Sequence, residues 1–309
     1  MTDPRDRDRD RDNNGDGDGD RPAMTPFDEV YDRPDPREFF RTLGPLEYRT
    51  PHHAQRIFRR LVEARARSAH SAGADLTAGT PRPLTVLDIC CSYGINAALL
   101  NHDLTLDDLY AHYTCRRAAG LGTAELAEWD RSWYAAHRRP DAARMVGLDV
   151  APNAIAYARA VGLLDEGFAE NLEAGPPSPE LLAAARHARL ITVTGGASFL
   201  SPRTFQPLLA AAEQPVWVAA FVLRTGSYQP IAEGLAPHDL ITEKACAPTF
   251  PQRRFSGPGE RRHAIDAVTE AGEDPAGKES EGYFHTALHL SRPAEDATAF
   301  PLGRLIRDS

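Results

Sequence analysis

The stretch "VLDICCSYGINAALL" (residues 86–100) contains the pattern that decides the fold of this chain. It begins with a short apolar run, typical of a fully buried strand, which continues through an acid, Asp88, into a tight turn. The turn holds a single glycine, Gly94, and a helix-like segment follows from Asn96. Strand, acid, turn and helix in this order predict a ligand site at the carboxyl edge of a parallel sheet, where helix N-termini and loop amides converge.

Further apolar runs alternate with helical patterns along the chain. "RMVGLDVAP" ends in a second acid, Asp149, and "NAIAYARAVGLL" follows it as a helix. "RLITVTGG" and "PVWVAAFVL" are two more strand-like runs, separated by a helix that starts at Ser201 and Pro202. Because strands alternate with helices, we predict a Rossmann-like α/β fold, with about seven mostly parallel strands and helices on both faces.

The last third of the chain has a different pattern. "ITEKACAPTFPQRRF" and "GYFHTALHLS" are strand-like runs, which we predict to pair as an antiparallel edge, with a long loop over residues 256–281 between them. Alternation along the first run points one of Arg253 and Arg254 inward, where it could meet a carboxylate. A charge that faces solvent at the sheet edge is the alternative.

Three regions are predicted from composition. Residues 1–24 alternate Arg with Asp and then Gly with Asp, so they offer nothing to bury and are expected to be a disordered tail. Residues 25–83 are expected to form an N-terminal helical extension, and residues 84–309 a ligand-binding domain.

The two acids, Asp88 and Asp149, lie much further apart than in a compact βαβ unit, which predicts a helical insertion over residues 103–144. Within it, "TAELAEWDRSWYAAHR" is predicted to be a helix. Its common face is predicted to carry Leu126, Trp129, Trp133 and Ala136.

Composition disfavours several classes of function. The formal net charge of −9 is a poor match for a phosphate backbone, so we expect no nucleic-acid partner. The four cysteines form no CxxC pair, so we expect no metal site and no disulfide framework. Free thiols suit the cytosol, and no apolar run has the length of a membrane span or of a signal peptide, so we expect a cytoplasmic protein.

The loop resembles the first motif of the class I S-adenosylmethionine (SAM)-dependent methyltransferases, which runs roughly V-L-D-x-G-x-G-x-G. "VLDICCSYG" places Asp88 at the acid and Gly94 at the last glycine, while Cys90 and Ser92 hold the first two glycine places. Asp149 matches the acid that closes the second strand in that family. The resemblance extends over roughly residues 84–293. It also implies that the N-terminal extension, residues 25–83, folds over SAM as a lid, and a helix packed on the sheet edge is the alternative.

This resemblance implies a cofactor and a set of contacts. SAM carries no phosphate, so a loop with few glycines suits it better than a dinucleotide, whose pyrophosphate needs the backbone very near. Asp149 would bind the ribose hydroxyls, while Asp88 would act indirectly by accepting hydrogen bonds from loop amides. The implied cofactor-binding residues are Asp88, Cys90, Ser92, Tyr93, Gly94, Asp149, Asn171 and Leu172.

The resemblance also implies transfer of the methyl group to a small molecule. The fourth strand ends in "TGGASF", an uncharged floor, in place of the Asp-Pro-Pro-Tyr type motif of base and glutamine amino-methylases. A general base is expected only for a hydroxyl or amine acceptor, and the candidate catalytic residues are Tyr48, His53 and His238. Cys90 and Cys91 are interpreted as small packing residues, because no partner in the sequence supports thiol chemistry.

Two other hypotheses stay open at this point. Some bacterial SAM enzymes with a methyltransferase-like fold cyclise the aminobutyryl part of SAM to azetidine-2-carboxylate and release methylthioadenosine. The variant loop and the long insertion leave room for that chemistry. A SAM-binding regulator without catalysis would also fit, and the sequence does not determine the oligomeric state.

Deleting residues 1–22 should leave the melting temperature and the SAM affinity unchanged, because Met1 is the only apolar side chain that this segment could bury. Calorimetry on the full-length and shortened proteins measures both quantities. A melting temperature lower by several degrees would show that the tail docks on the domain.

Overall fold

The structure is a computed structural model that describes Thr25, residues 27–71 and residues 83–307. The predicted disordered tail, residues 1–24, lies outside the described residues. None of the helices in the described ranges combines the length and the apolar character needed to cross a membrane.

A single mixed sheet is the centre of the described part of the chain, and its strand order is β3-β2-β1-β4-β5-β8-β6, with β7 also on β8. The first five strands in this order are parallel, whereas β8 runs antiparallel to β5, β6 and β7. The eight strands of the described residues are β1 Thr85–Ile89, β2 Arg144–Asp149, β3 Glu166–Ala169, β4 Ala188–Val193, β5 Trp217–Leu223, β6 Ile241–Lys244, β7 Phe250–Arg254 and β8 Tyr283–Arg292. The predicted Rossmann-like fold is confirmed, with one strand more than expected.

Helices cover both faces of this sheet. Those of the described residues are α1 Asp28–Tyr31, α2 Arg37–Leu43, α3 Thr50–Ser71, α4 Ile95–Asn101, α5 Leu106–Thr114, α6 Arg116–Gly120, α7 Thr123–His137, α8 Pro152–Ala160, α9 Pro179–Ala185, α10 Pro202–Ala211, α11 Gln229–Leu235, α12 Pro258–Glu270, α13 Ala294–Ala299 and α14 Leu302–Ile306. Alternation along β1 divides the core, because Val86 packs into the layer of α3, α4 and α8 while Leu87 and Ile89 pack into that of α9, α10 and α11.

The strand order changes direction between β1 and β4. The chain leaves β1 toward β2 on one side, whereas β4 and β5 lie on the other side. Such a switch point opens a crevice outside the carboxyl ends of the two central strands, and open α/β sheets bind their ligands there. The loop after β1 therefore lies where the sequence predicted a ligand.

Three helices, α5, α6 and α7, lie within the predicted insertion. The buried face of α7 differs from the prediction, since it carries Leu126, Asp130 and Tyr134 while Ala136 is exposed. The Asp130 carboxylate accepts hydrogen bonds from the hydroxyls of Tyr113 and Tyr157, each at 2.6 Å. Because Tyr157 belongs to α8, this buried polar network ties the insertion to the helix after β2.

The structure of the last third of the chain shows that two predictions were wrong. The run "ITEKACAPTFPQRRF" is not one strand, because its two halves, β6 and β7, pair with successive parts of the same edge of β8. The predicted loop over residues 256–281 contains α12, whose buried stripe is Glu260, Ala264 and Val268. That stripe has a single large apolar side chain, so hydrophobic periodicity gave no helical signal.

Candidate functional site

The loop between β1 and α4 follows a left-handed path at every second residue. The φ angles are 56° at Cys90, 49° at Ser92 and 77° at Gly94. These are the three places at which the methyltransferase pattern has glycine. The backbone therefore keeps the shape of a glycine loop, although two of the three residues carry side chains that cost about 1–2 kcal/mol each in this conformation.

Contacts with two other strand ends hold this strained loop in place. The Ser92 amide donates a hydrogen bond to Asp149 Oδ2 at 2.8 Å. Cys90 packs against the turn after β4, where a Cβ on Gly196 would collide with Cys90 Sγ. The loop is thus fixed between the ends of β2 and β4, which supports a preorganised ligand floor.

Asp149 closes β2 and faces the loop. Its Oδ1 accepts a hydrogen bond from the Ala151 amide at 3.0 Å, and its Oδ2 accepts the bond from Ser92. Burial raises the pKa of Asp149, while the backbone hydrogen bonds act in the opposite direction. Each carboxylate oxygen has further lone pairs, so the group can still accept hydrogen bonds from two neighbouring hydroxyls of a ligand.

Asp88 lies fully buried below the loop. Its two oxygens accept hydrogen bonds from the side-chain Nδ2 of Asn96 at 2.9 and 3.1 Å, and one of them accepts from the Thr192 hydroxyl at 2.6 Å. The expectation that Asp88 bonds loop amides is wrong, because side chains of α4 and β4 occupy its oxygens. Burial raises the pKa of Asp88 to about 7. The residue ties three elements together beneath the ligand floor and has no exposed surface for direct contact.

The two cysteines of the loop are packing residues in this structure. Cys91 is buried beneath β2, where a Cβ on Gly147 would lie 2.8 Å from its sulfur. Burial raises the pKa of both Cys90 and Cys91, so neither side chain is a thiolate near neutral pH.

Tyr93 anchors an N-terminal segment that we call the strap, Thr25 with residues 27–49. The Tyr93 ring is buried and contacts the rings of Phe39 and Tyr157. Its hydroxyl accepts a hydrogen bond from the Arg33 amide at 2.8 Å and lies 3.0 Å from the Arg33 carbonyl, to which it donates. The structure thus gives this ring a packing role under the strap.

The strap crosses the carboxyl edge of the sheet from α12 to α8. At one end the Thr25 amide donates to Glu260 Oε1 at 2.6 Å. Further along, Asp32 Oδ1 accepts from the Asn153 amide, in the first turn of α8, at 2.7 Å. The strap is therefore bound both to the helix that follows β2 and to the helix that follows β7.

The candidate catalytic residues Tyr48 and His53 lie near this edge. A Cβ on Gly195, after β4, would lie 2.9 Å from the Tyr48 hydroxyl. Burial raises the pKa of Tyr48 well above its ordinary value, so it is a neutral donor. Burial, assisted by His52 and Arg49, lowers the pKa of His53 to about 4, so its imidazole is neutral at pH 7.

His238, the third candidate, lies at the opposite edge of the sheet. It directly precedes β6, whose first residue, Ile241, pairs with Arg292 near the start of β5. The carboxyl ends of the parallel strands are at the other side, so the structure does not bring His238 to the site. The prediction failed because the sequence did not show at which edge this turn lies.

Asn171 and Leu172, two predicted cofactor contacts, lie after β3 in different environments. Asn171 is exposed and its Oδ1 accepts from the Glu173 amide at 3.0 Å, whereas Leu172 is buried in the core layer of α9 and α10. Two exposed apolar side chains at the same edge were missed, Val150 directly after Asp149 (64% exposed) and Phe199 after β4 (75% exposed). These residues stand out because they are exposed, and exposure cannot be read from an apolar residue type in the sequence.

Comparison with known proteins gave matches among solved structures only. No protein-family model matches the chain, and no curated protein matches it. The chain is similar to the N-methyltransferase NodS from Bradyrhizobium japonicum in complex with S-adenosyl-L-homocysteine (SAH), at 13% identity and a TM-score of 0.34, over 74% of this chain and 87% of that one. It is similar to the plantazolicin methyltransferase BpumL in complex with SAH, at 12% identity and a TM-score of 0.35, over 86% and 93% of the two chains.

A third similar structure is a TehB-like SAM-dependent methyltransferase from Corynebacterium glutamicum, at 15% identity and a TM-score of 0.33, over 75% of this chain and 97% of that one. At such low identity and TM-score, the assignment of the site rests on the strand order and the loop geometry of the chain itself.

Substitutions at Ser92 and Gly94 should change stability in opposite directions. Ser92→Gly removes left-handed strain and a buried hydroxyl without a partner, and should raise the free energy of unfolding by roughly 0.5–1 kcal/mol. Gly94→Ala should lower it by roughly 1–3 kcal/mol, because φ is 77° and the new Cβ would lie 3.2 Å from Leu163 Cβ. Urea unfolding of both variants measures these changes, and a neutral Gly94→Ala would contradict the described loop path.

Proposed function

We propose that this chain is a SAM-dependent methyltransferase that acts on a small molecule. The observation that carries the proposal is the loop after β1, which keeps a left-handed path at Cys90, Ser92 and Gly94 beside the carboxylate of Asp149. The loop and the acid lie together at the switch point of a parallel sheet, where a nucleoside is the expected ligand.

The residues of this edge fit the parts of SAM. Asp149 would accept hydrogen bonds from the ribose hydroxyls, and the exposed Val150 offers an apolar surface beside it for the adenine. Ser92 Oγ is buried without a hydrogen-bond partner, and it would gain one from the ligand. A pyrophosphate must approach the loop backbone closely, and glycines permit that approach. Side chains at Cys90 and Ser92 would hinder it, which favours SAM over a dinucleotide.

Bound SAM would supply a methyl group activated by the sulfonium, and an in-line displacement transfers it to the acceptor. The chain contributes orientation, since the strap covers the crevice and Tyr48 reaches the end of β4. His53 Nε2 is buried without a partner, and a neutral imidazole can take the proton that a hydroxyl loses. A weak base suffices for a hydroxyl acceptor, because the oxonium ion that methylation forms is strongly acidic. The ammonium ion formed from an amine is a weak acid, and His53 would not be its base.

The polar lining supports a small molecule as the acceptor. The net charge of −9 disfavours a nucleic acid, and the neutral hydroxyl of Tyr48 lies beside Gly195 at the end of β4. The free thiols of Cys91 and Cys246 support a reducing compartment, and we place the protein in the cytoplasm on that ground.

Product analysis separates methyl transfer from cyclisation of SAM. With SAM alone, a methyltransferase should leave the compound intact, because the methyl needs an acceptor held in line with the sulfonium. Mass spectrometry of this reaction, and of one with candidate acceptors, should detect SAH only in the second. Time-dependent methylthioadenosine from SAM alone would establish the cyclase, and SAM binding without any product would establish the regulator.

Asp149→Asn should weaken SAM binding by about 10- to 100-fold, because it removes a charged acceptor of ribose hydrogen bonds. Asp239→Asn is the matched control, since it removes the same charge from an exposed residue at the opposite edge and asparagine tolerates its left-handed φ of 59°. Isothermal titration calorimetry gives both affinities. Equal affinities in the two variants would contradict the role of Asp149.

A further inference from the structure

Three buried polar atoms beside the crevice make no hydrogen bond of ordinary geometry, although the hydroxyl of one of them, Thr50, interacts with the hydroxyl of Tyr48. They are Thr50 Oγ1, His53 Nε2 and Gln252 Oε1, three of the nine such side-chain atoms in the described residues. Thr50 is fully buried and Gln252 is 6% exposed. A buried polar atom without a partner costs free energy, and native proteins seldom retain one without a reason. We call these three residues the polar corner.

The start of α3 and the strand β7 form the polar corner. The Arg49 amide donates to the Gln252 carbonyl at 2.7 Å, which joins the two segments directly before α3 begins. Thr50 and His53 are three residues apart and therefore share one face of the helix. The His53 ring lies 5.5 Å from the ring of Phe250 on β7. The two segments that carry the three polar groups are thus in direct contact.

A β-bulge directs Gln252 into this corner. Pro251 pairs with His285 and Arg253 with Phe284, so Gln252 is the extra residue between two consecutive positions of β8. Bulges commonly redirect a side chain next to an active site. Here the bulge buries an amide oxygen for which the protein provides no donor.

The polar corner adjoins the proposed methyl-transfer site. Tyr48, two residues before Thr50, extends its hydroxyl to Gly195 at the end of β4. The next residue, Gly196, packs against Cys90 of the loop. The corner is therefore on the β4 side of the crevice, away from the ribose acid at the end of β2.

Charged groups near the corner are already paired. The buried guanidinium of Arg253 donates to both oxygens of Glu260, and that of Arg224 pairs with Glu279. Arg49, at the rim, lies 3.9 Å from Asp107. A ligand carboxylate or phosphate would find no unpaired cation among these residues, whereas a neutral hydrogen-bonding group would satisfy the three free atoms.

We propose that the polar corner binds the methyl acceptor, and that this acceptor is a neutral ring compound with an O–H or N–H donor. The donor would bond to Gln252 Oε1, while the rings of Tyr48 and Phe250 would pack against the acceptor ring. This inference rests on the proposed methyl transfer for the identity of the ligand as the acceptor.

Fluorine NMR on the SAH-saturated protein tests the inference with three probes of similar size, para-fluorophenol, para-fluorotoluene and para-fluorobenzoate. The phenol should bind at least about tenfold more tightly than the other two, because only it is neutral and donates a hydrogen bond. Preference for the benzoate, equal binding of all three, or no binding of any probe would overturn the proposal.

Two nearly isosteric variants test whether the preference for the phenol arises at the polar corner. Thr50→Val and Gln252→Met should each reduce it severalfold and leave the SAM affinity unchanged. The melting temperature of Gln252→Met should stay the same or rise, because this change removes a buried polar atom that has no partner. Gln206→Met, at an exposed position of α10, is the control and should keep the preference. A lower melting temperature with an intact phenol preference would show that these side chains are structural.

The same titrations without SAH separate this inference from the proposed function. A phenol preference that both variants lose, in a protein that does not bind SAM, would retain the polar corner as a binding site and refute the methyltransferase. SAM binding without any phenol preference would refute the polar corner as the acceptor site and leave the proposed methyltransferase intact.

Discussion

The hydrogen bond from the Ser92 amide to the Asp149 carboxylate is the interaction on which the rest of the site depends. It joins the loop after β1 to the end of β2, and the loop follows a left-handed path at Cys90 and at Ser92 itself, which cysteine and serine disfavour. The carboxylate compensates part of that strain. Under the proposed function the same side chain would also bind the ribose, so loop shape and ligand recognition would share one residue.

The strap connects elements that lie far apart in the sequence at the edge of the sheet where the crevice opens. Tyr93 holds the strap at Arg33, Asn153 holds it at Asp32, and Glu260 holds it at Thr25. Each contact joins the N-terminal segment to a different part of the domain. Since the strap leads directly into Tyr48 and α3, the contacts that hold the strap also position the start of α3, which carries Thr50 and His53.

Local patterns predicted the fold and the strand, loop and helix that start at β1. The strands and the positions of Gly94 and Asp149 follow from short stretches, since buried strands and tight turns have recognisable residue types. The sequence could not show which residues at opposite ends of the chain meet. His53 and His238 were equal candidates until the strand register placed His238 at the far edge. Gln252 gave no signal, because a bulge breaks the alternation on which a strand prediction relies.

Isothermal titration calorimetry of the full-length protein with SAM, SAH and NAD tests the central claim most directly. The left-handed loop and the free lone pairs of Asp149 suit a nucleoside without phosphates, so SAM and SAH should each bind at one site per chain and NAD should bind much more weakly or not at all. Tighter binding of NAD than of SAM, or no binding of either SAM or SAH, would contradict the account.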